Sequence, residues 1–197
     1  MKYFNSTPEE SDTMDAEKAY SDYLDGNDAA LGIIVETYKN PLIFFIMGYV
    51  GSFSEAEDIT EDVFFRLAVK KPRVRNGCAF STLLYTMARS EALSALRKRK
   101  RHRYENTVEN EAAVSDGLSL EEMYLSQQRS RAVHRALERL PEKYREVIHL
   151  AFFEGLKNGE ISVVTGKSRK QTENLIYRAK AAMKKELEKE DFKYEIG

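Results

Sequence analysis

The sequence predicts an all-α protein: two small helical domains joined by a flexible linker, the C-terminal one containing a helix-turn-helix. Three observations carry that reading. Only four prolines interrupt 197 residues. Apolar residues recur at three- and four-residue spacing, and alternating apolar–polar runs of the kind strands need are hard to find. Residues 104–122 then break the pattern, with six acidic side chains, no Lys or Arg, and a Ser-Asp-Gly turn signal at 115–117.

The elements follow in order. Helical pattern runs from Ala16 to about Tyr49, with expected interruptions around Gly26–Asn27 and near Asn40–Pro41. Ser54 and Glu57 are spaced as a capping box. They would open a helix in which Ile59, Val63 and Leu67 recur every four residues. Lys70–Gly77 (KKPRVRNG) contains Pro and Gly and reads as a basic loop. Phe80, Leu83, Leu84, Met87 and Ala88 then share one face of a helix that continues into RKRKRHR (97–103). This places a first domain at 14–103, an acidic linker at 104–119 and a second domain at 120–190.

In the second domain Ser119 and Glu122 form another candidate box, opening a helix whose Val133, Ala136, Leu137 and Leu140 face inward. Pro141 suits the first turn of the next helix, where its missing N–H is not needed. Tyr144, Val147, Ile148, Ala151 and Phe152 make an apolar stripe at i, i+3, i+4, i+7 and i+8. A short segment from Asn158 to Val164, the turn Thr165-Gly166-Lys167, and a helix capped by Ser168 with Gln171 complete a helix-turn-helix. Thr172, Leu175, Ile176, Ala179 and Met183 would pack inward. Arg169, Lys170, Glu173, Asn174, Tyr177 and Arg178 would project from the end that enters a major groove.

Charge distribution says more than total charge. The formal net charge is −1, so no whole-molecule attraction to nucleic acid exists. Locally the balance is uneven: residues 1–31 hold eight acids against two lysines, and 97–103 carry six Lys/Arg in seven positions. Lys167 to Lys185 holds seven Lys/Arg against one Glu, a surface suited to phosphates. A basic amphipathic helix closing a small bundle fits that stretch as well, so residue pattern alone leaves both readings open. Cys78 is the single cysteine, which excludes an internal disulfide and suits a reducing compartment. The start MKYFNSTPEE lacks signal-peptide character. The run PLIFFIMGYV (41–50) is half a bilayer span. The expectation is a soluble, cytoplasmic protein without membrane insertion. His102, His134 and His149 lack metal-ligand spacing, and no phosphate loop or catalytic constellation is present. No metal, cofactor or enzymatic activity is therefore expected.

The segment 137–187 resembles the fourth conserved region of bacterial sigma factors. It carries L-P-x-x-x-R-x-V near its start, F-x-E-G-L in the middle and N-L-I-Y-R-A-K in the final helix. Upstream, AEDITEDVFFRL (56–67) and FSTLLYTMARSEALSALRKRKR (80–101) are similar to the second region. Two matches in order, with no room for a third region, resemble the extracytoplasmic-function group (sigma-70-like, group IV) of RNA polymerase sigma factors. The resemblance implies a subunit that joins core RNA polymerase through its clamp and flap, directs it to promoter DNA and helps open the duplex. An anti-sigma factor is a further partner that family members often have.

By the same resemblance, Glu57, Asp58, Glu61, Asp62 and Phe65 bind polymerase. Val74, Arg75, Asn76, Arg89, Ser90, Arg97, Lys98, Arg99 and Lys100 serve the −10 element, the last four through phosphates. Ser168, Arg169, Lys170, Gln171, Glu173, Asn174, Tyr177 and Arg178 serve the −35 element. The chain departs from the family pattern at Val74 (often aromatic), Leu83 (usually Trp), Ser90 (Asn), Ser94 (Asp) and Thr172 (Val). Fewer stacking and hydrogen-bonding groups near a flipped base leave the −10 preference open. The Thr172 hydroxyl is expected to be buried and bonded back to its helix. Two alternatives follow from the same residues. One is a stand-alone helix-turn-helix regulator; the other is a degenerate relative that binds polymerase without melting DNA.

Overall fold

The computed structural model describes residues 10–74, 78–105 and 128–189, and among them every regular element is helical. They fall into two compact units. The first holds α1 (Glu10–Leu24), α2 (Ala30–Val50), α3 (Phe53–Lys70) and α4 (Phe80–Glu105). The second holds α5 (Gln128–Glu138), α6 (Glu142–Ile148) with a π-helical turn at His149–Phe153, α7 (Asn158–Thr165) and α8 (Arg169–Glu188). The Ser119–Glu122 box and most of the acidic linker lie outside the described residues.

α2 is the hub of the first unit and packs against α1, α3 and α4. The expected break at Gly26–Asn27 is present, but the one at Asn40–Pro41 is not: Pro41 lies inside α2. Proline gives no N–H to the Thr37 carbonyl and crowds it, at a cost of about 3 kcal/mol. Against this stand Ile34, Tyr38, Leu42, Phe45, Ile46 and Tyr49, all buried on the same helix. Burying one such side chain contributes roughly 1.5–3 kcal/mol, so the stripe outweighs the proline. The continuous helix is 21 residues long and apolar enough to cross a membrane by length and composition. Its buried face nonetheless belongs to the core of this unit.

The start of α3 also differs from expectation. Gly51 ends α2 in the left-handed conformation (φ 73°), and Ser52 follows in extended geometry with its Oγ accepting the Glu55 N–H at 3.4 Å. The tight exit from α2 makes Ser52 the first residue placed to cap. Ser54, with the same spacing to an acid, is absorbed into the first turn. Ile59, Val63 and Leu67 are buried as their spacing requires, joined by Ala56, Thr60 and Phe64.

A chain of aromatic rings crosses the unit. Tyr20 stacks on Phe80 at 4.3 Å between centroids, and Tyr38 meets Phe80 edge-on at 5.9 Å. Tyr38 also meets Tyr85 at 6.4 Å, Tyr85 meets Phe45 at 5.1 Å, and Phe45 meets Tyr49 at 5.4 Å. Stacked and edge-to-face rings at these distances add to the area they bury.

In the second unit Pro141 stands at the N-cap rather than inside the first turn, its carbonyl accepting the N–H groups of Tyr144 (2.8 Å) and Arg145 (3.1 Å). The apolar stripe of α6 holds through Val147 and Ile148, then changes register. The Glu154 N–H reaches back five residues to the His149 carbonyl at 3.2 Å, the signature of a π turn. The extra residue rotates the chain, so Leu150 is buried while Ala151 and Phe152 are only half-buried.

His134, on α5, is half-buried. Desolvation, and secondarily the nearby His149, hold its pKa below the ordinary 6.5. The folded state therefore binds this proton less readily than the unfolded chain. Stability is full above pH 6.5 and is lost as pH falls from there toward the lowered value. Thermal melts of the full chain across that window should show a falling midpoint. His134→Gln should flatten the dependence; an unchanged slope would rule His134 out as its source.

Candidate nucleic-acid interface

Two capped helix starts shape the C-terminal site. The Lys157 N–H donates to Glu160 Oε2 at 2.7 Å and opens α7. Gly166 closes α7 at φ 68°, with Lys167 N–H bonded to the Ser162 carbonyl at 3.1 Å. A side chain at that φ would be strained, which is why the turn takes glycine. Ser168 and Gln171 then cap α8 reciprocally: Ser168 Oγ accepts the Gln171 N–H (3.3 Å) and Gln171 Oε1 accepts the Ser168 N–H (2.9 Å). The expected S-x-x-Q box is present.

From that start α8 turns Thr172, Ile176, Ala179, Met183 and Leu187 into the core. Ser168, Arg169, Lys170, Gln171, Glu173, Asn174, Tyr177 and Arg178 are all exposed, Tyr177 at 76%. Their situations differ. Ser168 and the Gln171 oxygen are used by the cap. The Arg169 guanidinium leans over α7, so a Cβ at Gly159 would sit 3.4 Å from its Nη2. Lys170, Glu173, Asn174, Tyr177 and Arg178 take no part in that cap.

Thr172 corrects one expectation. It is fully buried, but its Oγ1 has no hydrogen-bond partner. Thr60 and Thr165 bond the carbonyls four residues back, at 2.8 Å and 2.7 Å. At Thr172 that carbonyl belongs to the cap residue Ser168 and accepts the Thr172 backbone N–H at 2.9 Å, but not the hydroxyl.

In the first unit, α3 presents Asp58, Glu61 and Asp62 to solvent with Phe65, which is 67% exposed. Glu57 is half-buried and pairs with Lys39 at 3.3 Å. Val69, 65% exposed, extends the Phe65 face by one turn. Sequence reading missed it, although its i+4 spacing from Phe65 was a usable signal.

The −10 candidates are distributed along α4 and the segment before it. Val74 is half-buried, Arg89 half-buried and Ser90 exposed; Arg75 and Asn76 lie outside the described residues. Arg97, Lys98 and Lys100 are exposed, with Arg97 Nη2 donating to Ser94 Oγ at 3.1 Å. Arg99 is turned inward instead. Its Nη1 donates to the Val50 carbonyl at 3.2 Å and to Glu55 Oε2 at 3.4 Å, so it ties α4 to the α2–α3 corner.

Two family models match this chain in order: sigma-70 region 2 over residues 34–102 and sigma-70 region 4 over residues 130–183. The chain belongs to the sigma-70 family of RNA polymerase sigma factors. Together the two matches span more than half of it. The ECF sigma factor SigW of Bacillus subtilis is 28% identical over 170 residues, 82% of this chain and 91% of that protein. The sigma-H factor of Pseudomonas aeruginosa is 28% identical over 171 residues, 83% of this chain and 89% of that one. The ECF sigma-E factor of Escherichia coli K12 is 25% identical over 166 residues, 80% and 86%. Among solved structures, RpoE of Bartonella quintana in complex with the anti-sigma factor NepR superposes with a TM-score of 0.63 at 21% identity, covering 78% of this chain and 94% of that one. CnrH in complex with the cytosolic domain of CnrY gives 0.58 at 22% identity, covering 91% and 98%. These likenesses show the fold. As a sigma factor, the protein binds core RNA polymerase and directs promoter-specific initiation. A region 2 match ahead of the helix-turn-helix gives a stand-alone regulator no support.

Replacing Thr172 by Val should stabilise the second unit by about 1 kcal/mol, because a buried hydroxyl without a partner is removed at constant shape. A rise of several degrees in the thermal midpoint, with affinity for a −35 duplex unchanged, is the expected result. A fall would mean the hydroxyl is satisfied in solution.

Proposed function

We propose that this sigma factor reads a −35 element with the N-terminal half of α8 and a −10 element with α4 and the segment before it. The work is divided between residues 14–103 and 120–190, with 104–119 as an acidic linker. The single observation that supports this best is the α8 surface. Five side chains of mixed chemistry (Lys170, Glu173, Asn174, Tyr177 and Arg178) are exposed together on a helix with a fixed start. Lysine and arginine supply salt-dependent phosphate affinity, and the others carry hydrogen-bonding or apolar groups suited to base edges.

On α4, Arg97, Lys98 and Lys100 hold phosphates, while Arg89 and Ser90, with Val74, Arg75 and Asn76, receive an unstacked −10 base. Arg99 supports that surface from behind. Asp58, Glu61, Asp62 and Phe65, with Val69 added, face the polymerase clamp; charge there sets encounter and register, and the apolar side chains supply affinity. Glu57 supports this surface through Lys39. The protein acts in the cytoplasm, performs no chemistry of its own and needs no cofactor. An anti-sigma factor is a partner of the same kind as the one in the Bartonella quintana complex.

Added to core polymerase, the purified protein should start transcription from a defined class in a genomic promoter library; no specific start would overturn the reading. Lys170→Ala and Arg178→Ala should each weaken a −35 duplex. A residue that contacts phosphate should also lower the salt-dependence slope by about 0.9. Unchanged affinity and slope in both variants would remove α8 from the interface.

A further inference from the structure

α1 precedes the segment matched by the region 2 model, which begins at residue 34, yet it holds both ends of the connection between α3 and α4. At the near end Tyr23 Oη donates to the Ala68 carbonyl in the last turn of α3 at 3.0 Å, and Tyr20 Oη donates to the Pro72 carbonyl. Between these two anchors stands Lys71, the one non-glycine residue with positive φ (40°) among the described residues. Its ammonium sits 4.1 Å from the centre of the Tyr23 ring and 3.5 Å from Asp28 Oδ1. A side chain in this strained conformation persists only where its surroundings hold it, and α1 supplies much of that hold.

At the far end Glu17 Oε1 accepts the N–H of Phe80, the first residue of α4, at 3.1 Å. That contact satisfies an orphan donor and places a carboxylate at the positive end of the helix. Tyr20 reaches both ends, with its hydroxyl on Pro72 and its ring stacked on Phe80. Burial, and secondarily Tyr23, push the Tyr20 phenol up to about 12, so its proton stays available to the Pro72 carbonyl at any physiological pH.

We propose that Glu17, Tyr20 and Tyr23 are positioning residues for −10 recognition, holding the exit of α3 and the first turn of α4 where a −10 base is received. The inference rests on the −10 reading given above for Val74 and α4. A brace at both ends removes freedom before DNA arrives, so less ordering is left to oppose binding. None of the three side chains needs to touch DNA.

The test uses holoenzyme reconstituted with E17Q, Y20F and Y23F combined, and with Y20F alone, which keeps the ring on Phe80. Promoter opening, detected by permanganate, should fall about tenfold in the combined variant, and selection from a library randomised at −10 should broaden. Core binding and −35 duplex affinity should stay at wild-type levels. Ile46→Val, a core change away from the connection, separates positioning from loss of stability. The proposal is overturned if the selected −10 profile stays as in wild type, or if Ile46→Val broadens it equally. A wild-type holoenzyme with no −10 preference would instead overturn the −10 reading itself, and the brace with it.

Discussion

Phe80 is held between Tyr20 of α1 and Tyr38 of α2, and the first unit depends on that contact. It fixes where α4 begins, and with it the approach of every later α4 residue. The same ring chain continues through Tyr85 to Phe45 and Tyr49. α2 therefore contributes Tyr38, Phe45 and Tyr49 from one face, spaced by seven and four residues, which is possible only if the helix continues unbroken. Pro41 lies between the first two. A break there would rotate Tyr38 away from Phe45 and separate the ends of the chain of rings. The continuous α2 and the aromatic chain are thus one constraint, and the proline is tolerated because too much is buried on either side of it.

Local spacing was legible in the sequence, and outcomes set by tertiary burial, such as this one, were not. The buried faces of α3 and α8 were legible because a helix spaces its inward residues every three or four positions, as with Ile59, Val63 and Leu67 or Thr172, Ile176 and Ala179. The reciprocal Ser168–Gln171 cap was legible for the same local reason. Pro41 misled because its local preference lost to tertiary burial. Ser54 misled because Ser52–Glu55 and Ser54–Glu57 share one spacing. The choice was made by how α2 ends at Gly51. The π turn at His149–Phe153 has no spacing signature; it goes with a buried His149–Glu154 contact at 2.9 Å that exists only once the chain has folded.

The charged residues divide in a way that counting could not show. Lys39–Glu57, Arg66–Glu91 and Arg99–Glu55 are partly exposed pairs between different helices. Each adds little stability in water, but each fixes a direction. Arg99 in particular shares a carbonyl and a carboxylate at the α2–α3 corner, which turns the end of α4 so that Arg97, Lys98 and Lys100 face outward. Residues 97–100 are therefore one inward tether, Arg99, among outward basic side chains. Arg99 should be weighed as support for that surface rather than as one more phosphate ligand.

A similar division sharpens α8. Ser168 and the Gln171 oxygen hold the helix start, and Arg169 lies against α7, so on the proposed reading the surface left to choose bases is smaller than the eight exposed residues suggest. Within it Glu173 is the one acid between Lys167 and Lys185, against seven Lys/Arg. A carboxylate there opposes phosphate affinity, so on the proposed reading its value lies elsewhere. Carboxylates accept from the cytosine amino group in the major groove, and Asn174 beside it matches the donor–acceptor edge of adenine. Lysine and arginine would then set how tightly α8 binds, while Glu173 and Asn174 set where.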